Sequence, residues 1–560
     1  MAIRTLPLCA AALALTALTA CDELTLGVDS DTGDATDVGI DAPDIEGDTQ
    51  GDTGVDPGDT AACADGDASD GSGGDTDVGI PPEDANAVNV RFEPEGDGFF
   101  RMPWPSDLRT HPDGRPVLTD LPAGTSGAAT FFASRVEAMV HGFALAPIMY
   151  VALEADPIPA TPIDPRSSLC ADGPVQLIDV SPEGCGRRTP IEVYVNHRVD
   201  RYMEDNLLVA STVPGFVLEP GRPHALIVLR TLGEADGNAL AAAPLVQDAL
   251  AGTAADPRLN EVYAPLADCL PELGFGAEAI AVATVFTTQD PATEMQALRD
   301  EVADPERTES PQVTWNGYSD DHSRANRRVY TGTYETPIFQ DGTSPYNAAG
   351  GLIHFDEDGR PVRQRWETVP MTVVAPGEGA IVQPPYDLAI WVDGTGAGDT
   401  SWVGSSVTRA LNEAGFIVAG YTPQFHGSRA TPGSNEELHS FNVVNPDSFR
   451  NTFRQQVADT AYFLRVMTEA RDQMSDLPAV DDSRIVYAGQ SQGSMIGTMV
   501  AGVEPRIEAY VFNGVAAYLA TTAAWRTDPF DFPELISRFI NIPSGFDHTH
   551  LFMALLQTGA

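Results

Sequence analysis

Not one residue of this 560-residue chain is a lysine, and all 32 of its basic residues are arginines. Without an amine side chain no Schiff base can form, no P-loop lysine can reach a phosphate and no Ser-Lys dyad can operate. Positive charge is scarce altogether: 81 acidic residues bring the formal charge to −49. That balance excludes nucleic acid as a partner, because binding it requires basic patches that release counterions. Long apolar runs are missing too. The one at the start, Leu6 to Leu18, is too short to span a bilayer, and no second hydrophobic span follows it. Cysteines number six. Neither Cys170 nor Cys185 has a Cys or His two to four residues away, so no zinc site is spaced there. No metal and no cofactor is implied.

The first residues carry an export signal. Met1-Ala2-Ile3-Arg4 is a short basic start, and the apolar run ends in Leu18-Thr19-Ala20-Cys21. That tetrapeptide resembles the lipobox of bacterial lipoprotein signal peptides. The resemblance implies a signal over residues 1–20, cleavage before Cys21, acylation of that cysteine and a membrane-anchored protein of the cell envelope. An ordinary secretory signal cleaved after Ala20 is the plainer alternative. Acyl chains contribute ~0.8 kcal/mol per buried CH₂, so several on one residue anchor firmly. Asp22-Glu23 fit the pattern that favours inner-membrane retention in enteric bacteria.

Residues 21–86 are dominated by Asp, Gly, Thr, Ala and Ser, with no arginine and few large apolar side chains. Such a composition cannot bury enough surface to offset its ordering entropy, so it reads as a disordered acidic tether. A flexible coil of this length would reach roughly 45 Å. Asp65-Gly66-Asp67-Ala68-Ser69-Asp70-Gly71 faintly resembles a calcium loop but lacks the closing bidentate Glu and flanking helices.

Beyond the tether about 475 residues remain, enough for two or three domains. Residues 87–304 read as mainly β, with short strands between Pro/Gly turns. Examples are the alternating Ile191-Glu192-Val193-Tyr194-Val195 and the buried-type run His224 to Leu229. Helical insertions are expected near Gly127–His141 and Ala242–Leu273. The pattern suggests a sandwich-like module, with nothing catalytic visible in it. The exported context permits disulfides. Cys170 and Cys185 flank a short loop, and a bridge between them would contribute ~3 kcal/mol on the loop-entropy account. Phe99 to Asp107 (FFRMPWPSD) and Leu218-Glu219-Pro220-Gly221 resemble the N-terminal region of bacterial lipoprotein lipases, which is built like a bacterial Ig-like domain.

From residue 305 strands and helices alternate, so a largely parallel sheet is expected. Tyr386 to Val392 is a buried strand opening into Asp393-Gly394-Thr395-Gly396-Ala397-Gly398-Asp399; the next strand is Gly415 to Tyr421, and Asn451 to Gln473 is a long helix. The apolar Ile485 to Ala488 then runs into Gly489-Gln490-Ser491-Gln492-Gly493 and a small-residue helix. A G-x-S-x-G alone is weak in a chain with 51 glycines. Its strand–turn–helix setting is what a nucleophile elbow demands: the sharp turn exposes Oγ, and small residues two positions either side let strand and helix approach.

On these residues the chain resembles an α/β-hydrolase of the bacterial lipase/esterase type over 305–560. The resemblance implies Ser491 as nucleophile, a small-molecule ester as substrate and an acyl-serine intermediate. It places the oxyanion hole at the backbone of Gly394, Thr395 and Gln492. Relatives often carry His-Gly where Asp393-Gly394 stands, but the demand falls on backbone N–H groups. A serine peptidase of the same fold, or an inactive surface lipoprotein that binds a partner, are the alternatives. The oligomeric state is open. His426, in Pro423-Gln424-Phe425-His426-Gly427, precedes the serine, whereas the family order is Ser, acid, His; it reads as structural or substrate-lining. After Ser491 only His548 and His550 follow, in a helix start capped by Asp547 within a cap- or lid-like tail, and they read as surface or lid residues. The family's positions for acid and histidine are not reached by residue 560, so the hydrolase domain reads as incomplete, and weak reaction with short acyl esters is expected.

Overall fold

The computed structural model describes residues 87–560, apart from 119, 123–124, 157–162, 233–238, 517, 529–530, 544 and 560. The signal, Cys21 and the tether lie outside the described residues.

In chain order the first helix is α1 (Gly127–Met139). Then come β1 (Ile148–Ala152), β2 (Val175–Asp179), β3 (Arg187–Thr189), β4 (Ile191–Asn196), β5 (Leu207–Thr212) and β6 (Pro223–Leu229). Helices α2 (Pro244–Leu250) and α3 (Pro257–Cys269), strand β7 (Ile280–Thr287) and helix α4 (Pro291–Ala303) complete this half. The strands form two antiparallel sheets, ordered β1-β5-β4 and β3-β2-β6-β7. Three helices here begin at a proline, which lacks the N–H that would be unsatisfied at that position. Cys185 is bonded not to Cys170 but to Cys269 at the end of α3, with Cα atoms 5.6 Å apart. The expected local bridge is therefore replaced by one that ties the β2–β3 turn to a helix 84 residues on. Cys170 is itself disulfide-bonded.

The second half contains β8 (Val313–Arg324), β9 (Arg327–Ile338), β10 (Arg365–Pro376), β11 (Tyr386–Val392), α5 (Ser406–Glu413) and β12 (Phe416–Tyr421). It continues with α6 (Glu436–Ser440), α7 (Pro446–Glu469), β13 (Val480–Gln490), α8 (Gln492–Ala501) and β14 (Ala509–Asn513). The last helices are α9 (Leu519–Trp525), α10 (Phe532–Ile540) and α11 (Leu551–Gly559). Seven strands make one sheet ordered β14-β13-β11-β12-β10-β9-β8. The sheet is mixed rather than largely parallel. β11 to β14 pair in parallel, while β8, β9 and β10 pair antiparallel with their neighbours. The reason is connectivity: β8 turns straight into β9, and a hairpin reverses direction where a helical crossover would not.

Alternation along β11 shows how the sheet is covered. Leu388, Ile390 and Val392 enter the large core, whereas Ala389 and Trp391 face a smaller cluster with Trp402, Val403 and Val418. Helix α7 fills the large-core side and is buried along nearly its whole length, polar residues included. Several of its polar side chains are paired. Asp459 holds Arg429 at 2.8 Å, and Arg429 also reaches Glu367 of β10 at 2.7 Å. Burial pushes the Asp459 carboxyl up, and Arg429 opposes that shift.

The tail is a buried strut rather than a lid. α11 reads Leu-Phe-Met-Ala-Leu-Leu, apolar on every face, and such a helix must be covered all round. Phe552 packs on Phe132 of α1, the Tyr150 hydroxyl donates to the Thr549 carbonyl at 2.8 Å, and Gln289 donates to the Thr558 carbonyl at 2.7 Å. Among the described residues no helix is long and apolar enough to cross a membrane.

Candidate active site

The route of the chain through the sheet fixes where a ligand can sit. From β11 it moves to β12 on one side, then crosses through α7 to β13 on the other. At such a switch point the carboxyl ends of neighbouring strands diverge and leave a crevice. Three loops meet there: 393–405 after β11, 422–430 after β12, and the turn at Ser491 after β13.

Ser491 has φ 50° and ψ −114°, a conformation that L-residues rarely adopt. Such strain persists only where the surroundings over-determine it. Here the two glycines make it possible. A Cβ on Gly493 would lie 1.9 Å from the Val392 carbonyl oxygen, and one on Gly489 would lie 2.6 Å from the Gly493 carbonyl carbon. The turn is also pinned from both sides. Ser491 N–H donates to the Asn513 carbonyl at 2.8 Å, the Tyr487 hydroxyl to Gly493 O at 2.6 Å and the Ser494 hydroxyl to Gly489 O at 2.7 Å. The side chain itself is left half-buried at the rim.

The loop after β11 abuts this serine. A Cβ on Gly394 would come 3.1 Å from Ser491 Cβ, so only glycine lets the loop approach this closely. Thr395 Oγ1 donates to Gln492 Oε1 at 2.9 Å, joining two of the three expected oxyanion donors. Gln492 opens α8, where a backbone N–H has no intrahelical acceptor. Gly394 differs: its N–H donates to Asp393 Oδ1 at 2.8 Å, while Ser401 donates to the other Asp393 oxygen at 2.9 Å. Asp393 thus occupies one of the donors.

His550 and His548 lie elsewhere. His550 is buried, 3.4 Å from Asp200 and edge-on to Tyr202, inside the contact between the tail and the β1–β5 sheet. It is not a surface residue. His548 packs at a tilt against Trp525, ring centroids 5.2 Å apart. Asp547 does not cap the helix: it accepts from Thr549 N–H at 2.8 Å ahead of α11, and His550, the residue before Leu551, accepts the Phe552 N–H at Nδ1 at 3.2 Å. His426 is different again. It is 1% exposed, its Nδ1 sits 2.7 Å from the Gln424 carbonyl, and its Nε2 has no hydrogen-bond partner among the described residues. Burial lowers its pKa, so the ring is neutral in neutral solution. Gln492 Nε2 and Gln424 Oε1 are likewise buried without a partner among the described residues. Sequence reasoning named His426 as structural or substrate-lining and Gln492 for its backbone N–H; that Nε2 of each is buried without a partner among the described residues is visible only in three dimensions. Among the described residues no group of three His, Cys, Asp or Glu is arranged to hold a metal ion.

No protein-family model matches the chain, and no curated protein matches it. Several solved structures with some likeness are esterases. Acetyl xylan esterase 1 from Thermoanaerobacterium sp. JW/SL YS485 is 16% identical over 47% of this chain and 71% of its own, with a TM-score of 0.30. Acetyl xylan esterase from Paenibacillus sp. R4 is 14% identical over 48% and 74%, with a TM-score of 0.29. The rice cell wall degrading esterase LipA from Xanthomonas oryzae is 15% identical over 38% and 52%, with a TM-score of 0.23. At such scores the reading of the site rests on its own geometry.

Proposed function

We propose that this chain is an exported, lipid-anchored carboxylic ester hydrolase that works through an acyl intermediate on Ser491. The observation that supports the reading is the strained Ser491 backbone at the switch-point crevice, held by two glycines with no room for a side chain. Ser491 Oγ attacks the ester carbonyl. The oxygen that gains charge is met by the N–H of Gln492 at the start of α8 and by the N–H groups of the 394–395 loop, Gly394 turning from Asp393 to do so. The alcohol leaves, and water releases the acid from the serine. The small-molecule ester class follows from this chemistry, and the membrane association follows from the Cys21 lipobox.

One observation favours a second reading, an inactive binding module: the Asp393 carboxylate already takes the Gly394 N–H. A fluorophosphonate probe separates the two. The ester hydrolase reading expects one adduct, on Ser491, lost in Ser491→Ala. A folded chain that forms no adduct over hours would overturn it.

A further inference from the structure

The segment Phe449-Arg450-Asn451-Thr452-Phe453-Arg454 repeats Phe-Arg at a spacing of four. On a helix that spacing returns to one face, so α7 carries an aromatic stripe beside an arginine stripe. Both stripes reach a cavity of about 500 Å³. Its other walls include Met295 of α4 and, four residues apart on α8, Met495 and Met499. Residues 144–146 and 215–217 border it from the N-terminal half. Three of the chain's 12 methionines thus meet here, each only partly buried by protein. Methionine, unbranched and polarizable, adapts readily to a flexible apolar ligand.

The charge of the lining is unlike that of the rest of the chain. Acidic residues outnumber arginines 81 to 32 overall, yet among the described residues two arginines and no Asp or Glu line this cavity. Arg450 and Arg454 are both buried. Glu294 of α4, outside the lining, pairs with Arg454 and stands 4.0 Å from Arg450, which holds the two guanidiniums in place. Burial, with Arg454 beside it, still pulls the Arg450 pKa down to about 9 against the pull of Glu294. A further negative charge at this end of the cavity is therefore favourable.

We propose that the cavity binds a single-chain carboxylate, its head group on Arg450 and Arg454 and its alkyl tail among Phe449, Phe453 and the three methionines. The inference goes beyond the ester hydrolase reading and does not depend on it, because Ser491 is not among the lining residues. A carboxylate suits the head group, since the planar guanidinium fork matches its two oxygens. The volume lies within the range of ~300–1,000 Å³ usual for small-molecule sites and suits one alkyl chain. Met495 stands one turn beyond Ser491, so an occupant also braces the helix that follows the serine.

The test is isothermal titration calorimetry of the full chain with hexanoate, octanoate, decanoate and 1-octanol. Wild type should bind one carboxylate per molecule. Affinity should rise about fourfold with each added CH₂, or about 10²-fold from hexanoate to decanoate. Arg454→Gln should weaken decanoate about 10- to 100-fold and leave 1-octanol unchanged, because only the head group loses a charge-assisted partner. Met499→Trp, which fills the cavity, should abolish binding of both. Near-ultraviolet circular dichroism verifies the fold of each variant. A folded wild type that takes up no decanoate at 1 mM would overturn the proposal. So would uptake of many molecules per chain, or binding that both variants leave unchanged. Tighter binding of octyl phosphate than of octanoate would overturn the choice of a carboxylate. None of these results bears on Ser491, whose reading stands or falls with fluorophosphonate labelling.

Discussion

Asp393→Asn should speed reaction at Ser491. The carboxylate accepts the Gly394 N–H at 2.8 Å, and Gly394 lies against Ser491. Two acceptors drawn to one N–H, each ~2.9 Å from its nitrogen, are at most ~6 Å apart. A full negative charge at ~6 Å from the developing oxyanion, at an effective dielectric constant of ~20, opposes it by ~3 kcal/mol. Partial exposure of the loop reduces that figure, so a gain of about 10- to 100-fold is expected. Asparagine preserves the shape: its oxygen can accept from Gly394 and its nitrogen can donate to Ser401, which isolates the charge. The assay is hydrolysis of p-nitrophenyl acetate alongside fluorophosphonate labelling. An unchanged or slower Asp393→Asn, with an unaltered melting curve, would show that Gly394 is not an oxyanion donor.

Other expectations concern the frame around the site. Glu504 is buried between Arg299 of α4 and Arg506, so Glu504→Gln should cost about 3 kcal/mol in urea unfolding; a loss below 1 kcal/mol would contradict its role as the counter-charge. The Asp200 carboxyl is held below the ordinary carboxylate range: burial works against this, but the hydrogen bond with His550 and the N–H of Tyr202 outweigh it. Its contribution is therefore present above the unfolded pKa of about 3.9 and is lost as pH falls through the lower folded value. Asp200→Asn should flatten the acid side of the stability curve, and an unchanged slope below pH 4 would count against it. Reducing the Cys185–Cys269 bridge opens a loop of 84 residues and should cost about 4.5 kcal/mol on the loop-entropy account, read as a drop in the unfolding midpoint. Cys21→Ser should release the protein from membranes or block its processing, whereas unchanged fractionation and an unchanged mature N-terminus would end the lipobox reading.

What was legible in the sequence was local. The strand Tyr386–Val392 and the elbow at Ser491 announce themselves by a short apolar run leading into glycine, and the strand Phe416–Tyr421 by an apolar run ended at Thr422-Pro423. Long-range choices were not legible. Cys185 joins Cys269 because folding brings the β2–β3 turn to the end of α3, which spacing along the chain does not encode. Strand direction in β8–β10 depends on connections that carry no helix, and alternation alone does not set it. The tail reads as lid-like from its prolines and aromatics, yet a helix apolar on all faces has to be enclosed. The burial of His426 and its unpartnered Nε2 exist only in three dimensions.

The central claim is that Ser491 is an activated nucleophile. Its most direct test is intact mass followed by peptide mapping of the full chain after brief exposure to a fluorophosphonate at neutral pH. The account predicts one adduct per molecule, on the peptide containing Ser491, and none in Ser491→Ala. An unmodified folded chain, or an adduct that persists in Ser491→Ala, would contradict it.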